Sequence, residues 1–232
     1  MSTLLECKDL TKKYGKMTAI NHVNLAIESG HIIGLLGPNG SGKTTLIKMM
    51  NGLLSPTSGT IYMHENPIGV ESKRHISYLP DHSYLNMNER VRDIIRFFSD
   101  FYEDFDSKRA YHMLEKLQIN PADRLKTMSK GTKEKVQLIL VMSRKAELYV
   151  LDEPIAGVDP AARDYILNVI LSNYEPEASI LISTHLIADI ENILDEVIFI
   201  QNGQIRLTSS VEDIREKDGK SIDTLFREVF KC

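Results

Sequence analysis

The chain has 232 residues, with 28 basic and 32 acidic side chains, a net charge of −4 and an isoelectric point near 6.0. That balance excludes a protein devoted to wrapping nucleic acid, because gripping a phosphate backbone needs a surplus of Lys and Arg. Apolar residues at 42% and charged residues at 26% suit a globular chain with a substantial core and exclude a disordered one.

The longest uncharged apolar runs, such as Val136 to Met142 and Val197 to Ile200, fall far short of the roughly 20 residues that a bilayer crossing demands. No spanning segment is therefore expected. The first residues, Met1 to Asp9, show no basic head followed by an apolar stretch, so no secretory signal is expected either. Two cysteines, Cys7 and Cys232, stand at opposite ends without partners in metal-ligand spacing, and a reduced cytosolic setting fits both facts.

Along the chain, Leu4 to Leu10 and Ala19 to Glu28 alternate apolar with polar residues, which predicts antiparallel strands with one wet face. His31 to Leu36 is apolar on both faces, as a strand inside a sheet must be. Glycines follow, and Thr44 to Met50 then reads as a helix closed by Asn51-Gly52. Between Asn88 and Ala146, Ile94, Ile95, Phe97, Phe98 and Phe101, then Met113, Leu114 and Leu117, recur at helical intervals and predict a mostly helical insertion. Leu148 to Leu151, Ile180 to Ser183 and Val197 to Ile200 are short apolar runs separated by helical segments, a rhythm of parallel crossovers. Asn202-Gly203 signals a tight hairpin. The tail from Ser221 to Phe230 puts Ile222, Leu225, Phe226, Val229 and Phe230 on one helix face, read as docking on its own domain. There is no internal repeat and no low-complexity tract.

Gly37-Pro38-Asn39-Gly40-Ser41-Gly42-Lys43-Thr44 fits G-x-x-x-x-G-K-[ST] between a buried strand and a helix. Such a loop, a Walker A motif or P-loop, turns its N–H groups towards phosphate oxygens and adds the positive end of the helix dipole. Lys43 then reaches the β- and γ-phosphates and Thr44 offers a hydroxyl to Mg²⁺; Thr45 follows as a further binding residue. The other reading, a glycine-rich turn with an incidental lysine, does not account for the strand and helix on either side. Leu148 to Glu153 is an apolar strand ending in two carboxylates, of which Asp152 can hold the Mg²⁺ shell and Glu153 can polarise a water.

Between these motifs lies Met128-Ser129-Lys130-Gly131-Thr132, which resembles the signature of ATP-binding cassette (ABC) ATPases, usually Leu-Ser-Gly-Gly-Gln. Further matches follow in the family's order: Tyr14 before the first strands, Pro80-Asp81, the loop Pro154 to Pro160, and His185. The resemblance implies an α/β P-loop NTPase of the ABC ATPase type, with a mostly parallel core sheet, an N-terminal antiparallel β-layer and a helical subdomain. It implies one domain over residues 1–232, with its core in 1–81 and 147–232 and the helical subdomain at about 82–146. It also implies that two such domains pair head to tail around two MgATP, Ser129 and Gly131 of one closing over the phosphate loop of the other. Tyr14 resembles the aromatic on which adenine stacks, or is a surface tyrosine. His185 resembles the switch histidine near the γ-phosphate, and Asp159 the loop acid that crosses to the other copy.

The departures are specific. Asp81 stands where the family has glutamine, an anion able to bind Mg²⁺ alongside Thr44 and Asp152 but unable to donate as an amide does. Lys130 and Thr132 replace Gly and Gln, and Ala156 replaces a serine. Lys130 either adds charge near phosphate or points to solvent. The six other histidines, including His75 and His82, show no metal-ligand spacing and are read as scattered, so no metal beyond the nucleotide's is expected.

The leading functional expectation is the ATP-hydrolysing subunit of a membrane transporter, cytoplasmic and held on the inner face of the membrane by separate transmembrane permease subunits. Its cassette partner is a second copy or a paralogue, and nucleic acid is not a partner. The aromatic pairs Phe97-Phe98 and Phe101-Tyr102 are either the permease groove or simply the buried face of a helix. The form of the signature resembles the prokaryotic branch that exports drugs, antibiotics or peptides; the cargo itself is not written in such a domain. The alternative is a non-transport ABC-type ATPase, disfavoured by the lack of a long coiled coil or a second cassette. An unrelated P-loop kinase is disfavoured by the signature.

Overall fold

A computed structural model describes residues 3–156, 158–175 and 177–230; Gly157 and Cys232, both cited from the sequence, lie outside the described residues. The chain begins with a long hairpin, β1 (Thr3–Tyr14) and β2 (Met17–Glu28). Tyr14 is therefore the last residue of β1, not a residue preceding the strands. Then come β3 (Ile32–Leu36), α1 (Lys43–Met50), β4 (Ser58–Met63), β5 (Asn66–Pro67), α2 (Ser72–His75) and β6 (Ile76–Leu79). The helical stretch holds α3 (Val91–Phe101), α4 (Ser107–Lys116), a 3-10 turn at Leu125–Thr127 and α5 (Lys130–Met142). The chain ends with β7 (Leu148–Asp152), α6 (Pro160–Asn173), β8 (Ser179–Thr184), α7 (Ile187–Ile190), β9 (Glu196–Gln201), β10 (Gln204–Ser210), α8 (Val211–Asp218) and α9 (Ile222–Phe230).

Two sheets result. The antiparallel one has the order β2-β1-β4-β5, and the other β10-β9-β3-β8-β7-β6. In the second sheet β9, β3, β8, β7 and β6 run parallel, and only β10 is antiparallel to its neighbour. The β9–β10 turn uses Asn202 (φ 51°) and Gly203 (φ 73°), both left-handed as a two-residue hairpin of matching twist requires.

Parallel strands covered on both faces need apolar residues on both, and β3, β7 and β8 are buried at every position. Ile33, Leu35, Leu148, Val150 and Leu181 join a cluster with α1 and the antiparallel sheet. Their neighbours Ile32, Leu36, Tyr149, Leu151, Ile180 and Ile182 join a second cluster with the helices. Each such side chain contributes about 1.5–3 kcal/mol on burial. The tail docks as expected: Phe226 and Phe230 pack against Phe199 of β9 with ring centroids 5.5 and 5.7 Å away.

The aromatic residues at the end of α3 differ in burial. Phe98 is core, packed on Phe105 and Tyr102, whereas Phe97 (60% exposed) and Phe101 (68%) stack on each other at the surface. Arg144, just past α5, is buried beneath Tyr102, its guanidinium 3.9 Å from that ring's centroid. It donates to Asp104 and to the backbone carbonyls of Arg74 and Ile76.

One expectation fails. The histidines are not all scattered: His64, in the turn after β4, and His75, ending α2, both face the carboxylate of Glu147. Spacing in sequence could not show this, because the three residues come from separate elements that only the sheets bring together. Among the described residues no helix is long and apolar enough to cross a membrane.

Candidate nucleotide site

Every parallel strand of the larger sheet ends at the same edge, where ligands of such sheets bind. There β3 leads into the loop 37–42, β6 into Pro80-Asp81, β7 into Asp152-Glu153 and β8 into His185.

The loop is held by backbone geometry. Gly42 precedes α1 with φ 112°, and a Cβ there would stand 2.8 Å from the carbonyl oxygen of Ala19. Only glycine fits. The hairpin tip braces the loop from the side: Gly203 N–H donates to Ser41 O at 2.8 Å, and Asn21 N–H to Gly203 O at 2.9 Å. Lys43 is buried, its Nζ donating to Gly37 O at 2.7 Å and lying 3.5 Å from Glu153 Oε1. Its three donors face Gly37 O, Pro38 O at 3.4 Å and Glu153, and the two carbonyls can be exchanged for phosphate oxygens, which bind an ammonium more strongly.

The register of β7 and β8 sets Asp152 beside Ser183. Ser183 Oγ donates to Asp152 Oδ1 at 2.5 Å, and Glu153 N–H donates to Ser183 at both Oγ and the carbonyl. Burial pushes the Asp152 carboxyl above its usual range, while hydrogen bonds from Ser183 and Thr44 pull it down and the charges of Asp81 and Glu153 raise it further. Among the described residues its Oδ2 is buried without a hydrogen-bond partner, as is Ser41 Oγ. A desolvated carboxylate with unused lone pairs beside a hydroxyl is the donor set of a hard cation, so these residues fit a nucleotide with its Mg²⁺.

Glu153 has φ +53°, costing about 1 kcal/mol or more for a residue with a Cβ. That backbone turn delivers its carboxylate to His185 Nδ1 (3.1 Å) and towards Lys43. A carboxylate held by an imidazole and an ammonium can accept a proton from an attacking water.

Asn39, Gly40, Ser41, Gly42, Lys43, Thr44 and Thr45 line one cleft of about 620 Å³ with Tyr14, Asp81 and Glu153. A second cleft of about 530 Å³ joins Asp152, Glu153, His185 and Asp81 to Lys130 and Gln137 of α5. Ser129, Gly131 and Asp159 line neither. Ser129 caps α5, its Oγ accepting from Thr132 N–H at 3.2 Å, and both it and Gly131 are exposed. Lys130 lies outward, 3.8 Å from Glu134. Asp159 is exposed at the start of α6, where its carbonyl accepts from Arg163 N–H. Sequence reasoning missed Ser183 and the bracing role of Gly203. The signal for Ser183 was a hydroxyl inside an otherwise apolar strand end.

A parallel sheet ending in a glycine loop, a buried lysine and paired carboxylates defines a P-loop nucleoside triphosphatase. The family model described as "ABC transporter" matches residues 20–156, more than half of the chain. This chain belongs to that family, as an ABC transporter ATP-binding protein and an ATPase. It is 30% identical to the ABC-type transporter ATP-binding protein EcsA of Bacillus subtilis, over 99% of this chain and 97% of that one. It is 32% identical, over 92% of its length, to the probable multidrug ABC transporter ATP-binding protein YbhF of Escherichia coli, of which it spans only 38%. A solved structure described as the ATP binding subunit of an ABC transporter matches with a TM-score of 0.88 and 29% identity, covering 98% of this chain and 100% of that chain.

Proposed function

We propose that this ATPase works as a head-to-tail pair that encloses two MgATP and drives export through separate permease subunits at the inner face of a membrane. The observation that carries the pairing is the tip of α5: Ser129, whose hydroxyl caps the helix on Thr132, and Gly131, whose Cα faces open space, are both exposed outside the cleft that Lys43 lines. Such a tip attracts an anion. In the pair it meets the γ-phosphate held on the partner's phosphate loop, so ATP joins the copies and ADP does not.

Tyr14 stacks the base, Gly37 to Thr45 hold the phosphates, and Thr44, Asp152 and Asp81 take the Mg²⁺, which when bound neutralises phosphate charge. Glu153 accepts the proton of the attacking water, His185 orients that carboxylate, and Asp159 reaches across to the partner. Residues 1–81 and 147–232 form the core and about 82–146 the helical subdomain. Within it, Phe97 and Phe101 border an apolar cleft of about 650 Å³ with Leu53 and Tyr84, which we assign to the permease. The export direction rests on the form of the signature and on the multidrug name of one relative.

Glu153→Gln is expected to bind ATP, lose about 10²-fold or more in turnover and run as a dimer with ATP but as a monomer with ADP in size-exclusion chromatography. A monomer in both states would defeat the pairing.

A further inference from the structure

The parallel strands have a second chemically dense end. Glu147 immediately precedes β7 and His75 immediately precedes β6, and the pairing Ile76↔Leu148 sets the two residues side by side. Backbone bonds fix them there: Glu147 N–H donates to His75 O at 3.0 Å, and Ser179 N–H to Glu147 O at 2.8 Å. His64 arrives from the other sheet, in a left-handed turn (φ 49°) whose carbonyl accepts from Asn66 Nδ2 at 2.9 Å. With β7 rising about 3.3 Å per residue, this end lies on the order of 15 Å from the nucleotide carboxylates.

The side chains converge. His64 Nε2 lies 2.5 Å from Glu147 Oε2, and His75 Nδ1 2.7 Å from Glu147 Oε1. One donor atom from each of the three residues falls within 4.8 Å of the others. The imidazole rings stand nearly perpendicular, at 80° with centroids 5.5 Å apart, and their nitrogens meet the two oxygens of one carboxylate.

We propose that His64, His75 and Glu147 form a binding site for a divalent metal of the zinc class, with water in the remaining position. Two imidazole nitrogens and one carboxylate oxygen, without a thiolate, suit Zn²⁺ or Co²⁺ and not the hard cation of the nucleotide site. Bonds of about 2.0–2.1 Å to a tetrahedral ion require donor atoms about 3.3 Å apart. The two histidine–carboxylate contacts must therefore open by less than about 1 Å, and donors spread over as much as 4.8 Å must close by up to about 1.5 Å, which half-exposed side chains permit. The ion replaces the protons now shared with Glu147 and clips the antiparallel sheet to the edge of the parallel one.

The test is a Co²⁺ titration of the full, untagged, chelator-stripped chain without nucleotide. One equivalent should bind with the intense visible bands of tetrahedral cobalt, and Zn²⁺ should bleach them; an octahedral oxygen site near Asp152 gives only faint bands. Saturating Zn²⁺ should raise the melting temperature by about 5 °C. His75→Ala, and His64→Gln, which keeps a hydrogen bond to Glu147 but offers no imidazole, should each weaken binding by about 100-fold or more. Absence of the bands in the parent, or their survival in both variants, overturns the site and leaves a plain histidine–carboxylate clamp.

Discussion

The phosphate loop and the tip of α5 are both helix N-termini, and they are finished in opposite ways. The loop is satisfied from within: Gly203 bonds Ser41, Lys43 is buried against Gly37 O, and Gly42 sits under Ala19. The α5 tip has its own cap, Ser129 to Thr132, and among the described residues nothing lies within 4 Å of a Cβ placed on Gly131. In the pairing proposed above, a site preorganised on one side and open on the other completes its chemistry by contact with a second copy. On that reading the fixed half is built into the sheet, and the half that comes and goes is left at the surface.

That contrast can be broken by substitution. The largest effect is expected at the built half: Lys43→Ala should cut ATP turnover by at least about 10²-fold, read as phosphate release. Turnover near the parent's would remove the loop from the chemistry. Ser129→Ala should lower turnover less, with about 1 kcal/mol of helix stability lost through the cap. The two defects should also complement each other. In a mixed pair, the intact loop of the Ser129→Ala copy meets the intact tip of the Lys43→Ala copy, so a mixture should exceed the sum of its parts. Simple additivity would mean that the two halves act within one chain.

The smallest effect concerns stability. Because burial raises the Asp152 carboxyl above its ordinary value of 3.8, the folded chain holds more protons than the unfolded one between that value and the raised one. Stability therefore falls as pH rises through that window, and at neutral pH the ionised group is a standing cost. Asp152→Asn, with no nucleotide present, should melt later by roughly 1 kcal/mol of stability while losing turnover. Earlier melting at neutral pH would show that the charge is compensated inside the free chain.

What was legible in the sequence was local. The glycine loop, β3, α1, the Asn202-Gly203 turn and the tail helix each follow from residues that touch within a few positions, so periodicity and turn chemistry sufficed. β4, β5 and β6 were not assigned: they are four to six residues or fewer, broken by Gly59 and Pro67, and owe their existence to neighbouring strands. Ser183 and the His64–His75–Glu147 group needed the register of the sheets. Helical spacing alone also could not separate Phe98, which is core, from Phe97 and Phe101, which are not.

Glu153 carries one more lesson. Its left-handed backbone is a conformation that glycine or asparagine would adopt more comfortably, so the fold does not ask for glutamate there. With the proton-accepting role proposed for Glu153, a descendant freed from the need to split ATP would have little reason to keep that side chain. If Glu153 takes the water's proton as proposed, the residue at 153 serves as a gauge of whether a cassette still burns its fuel or merely holds it.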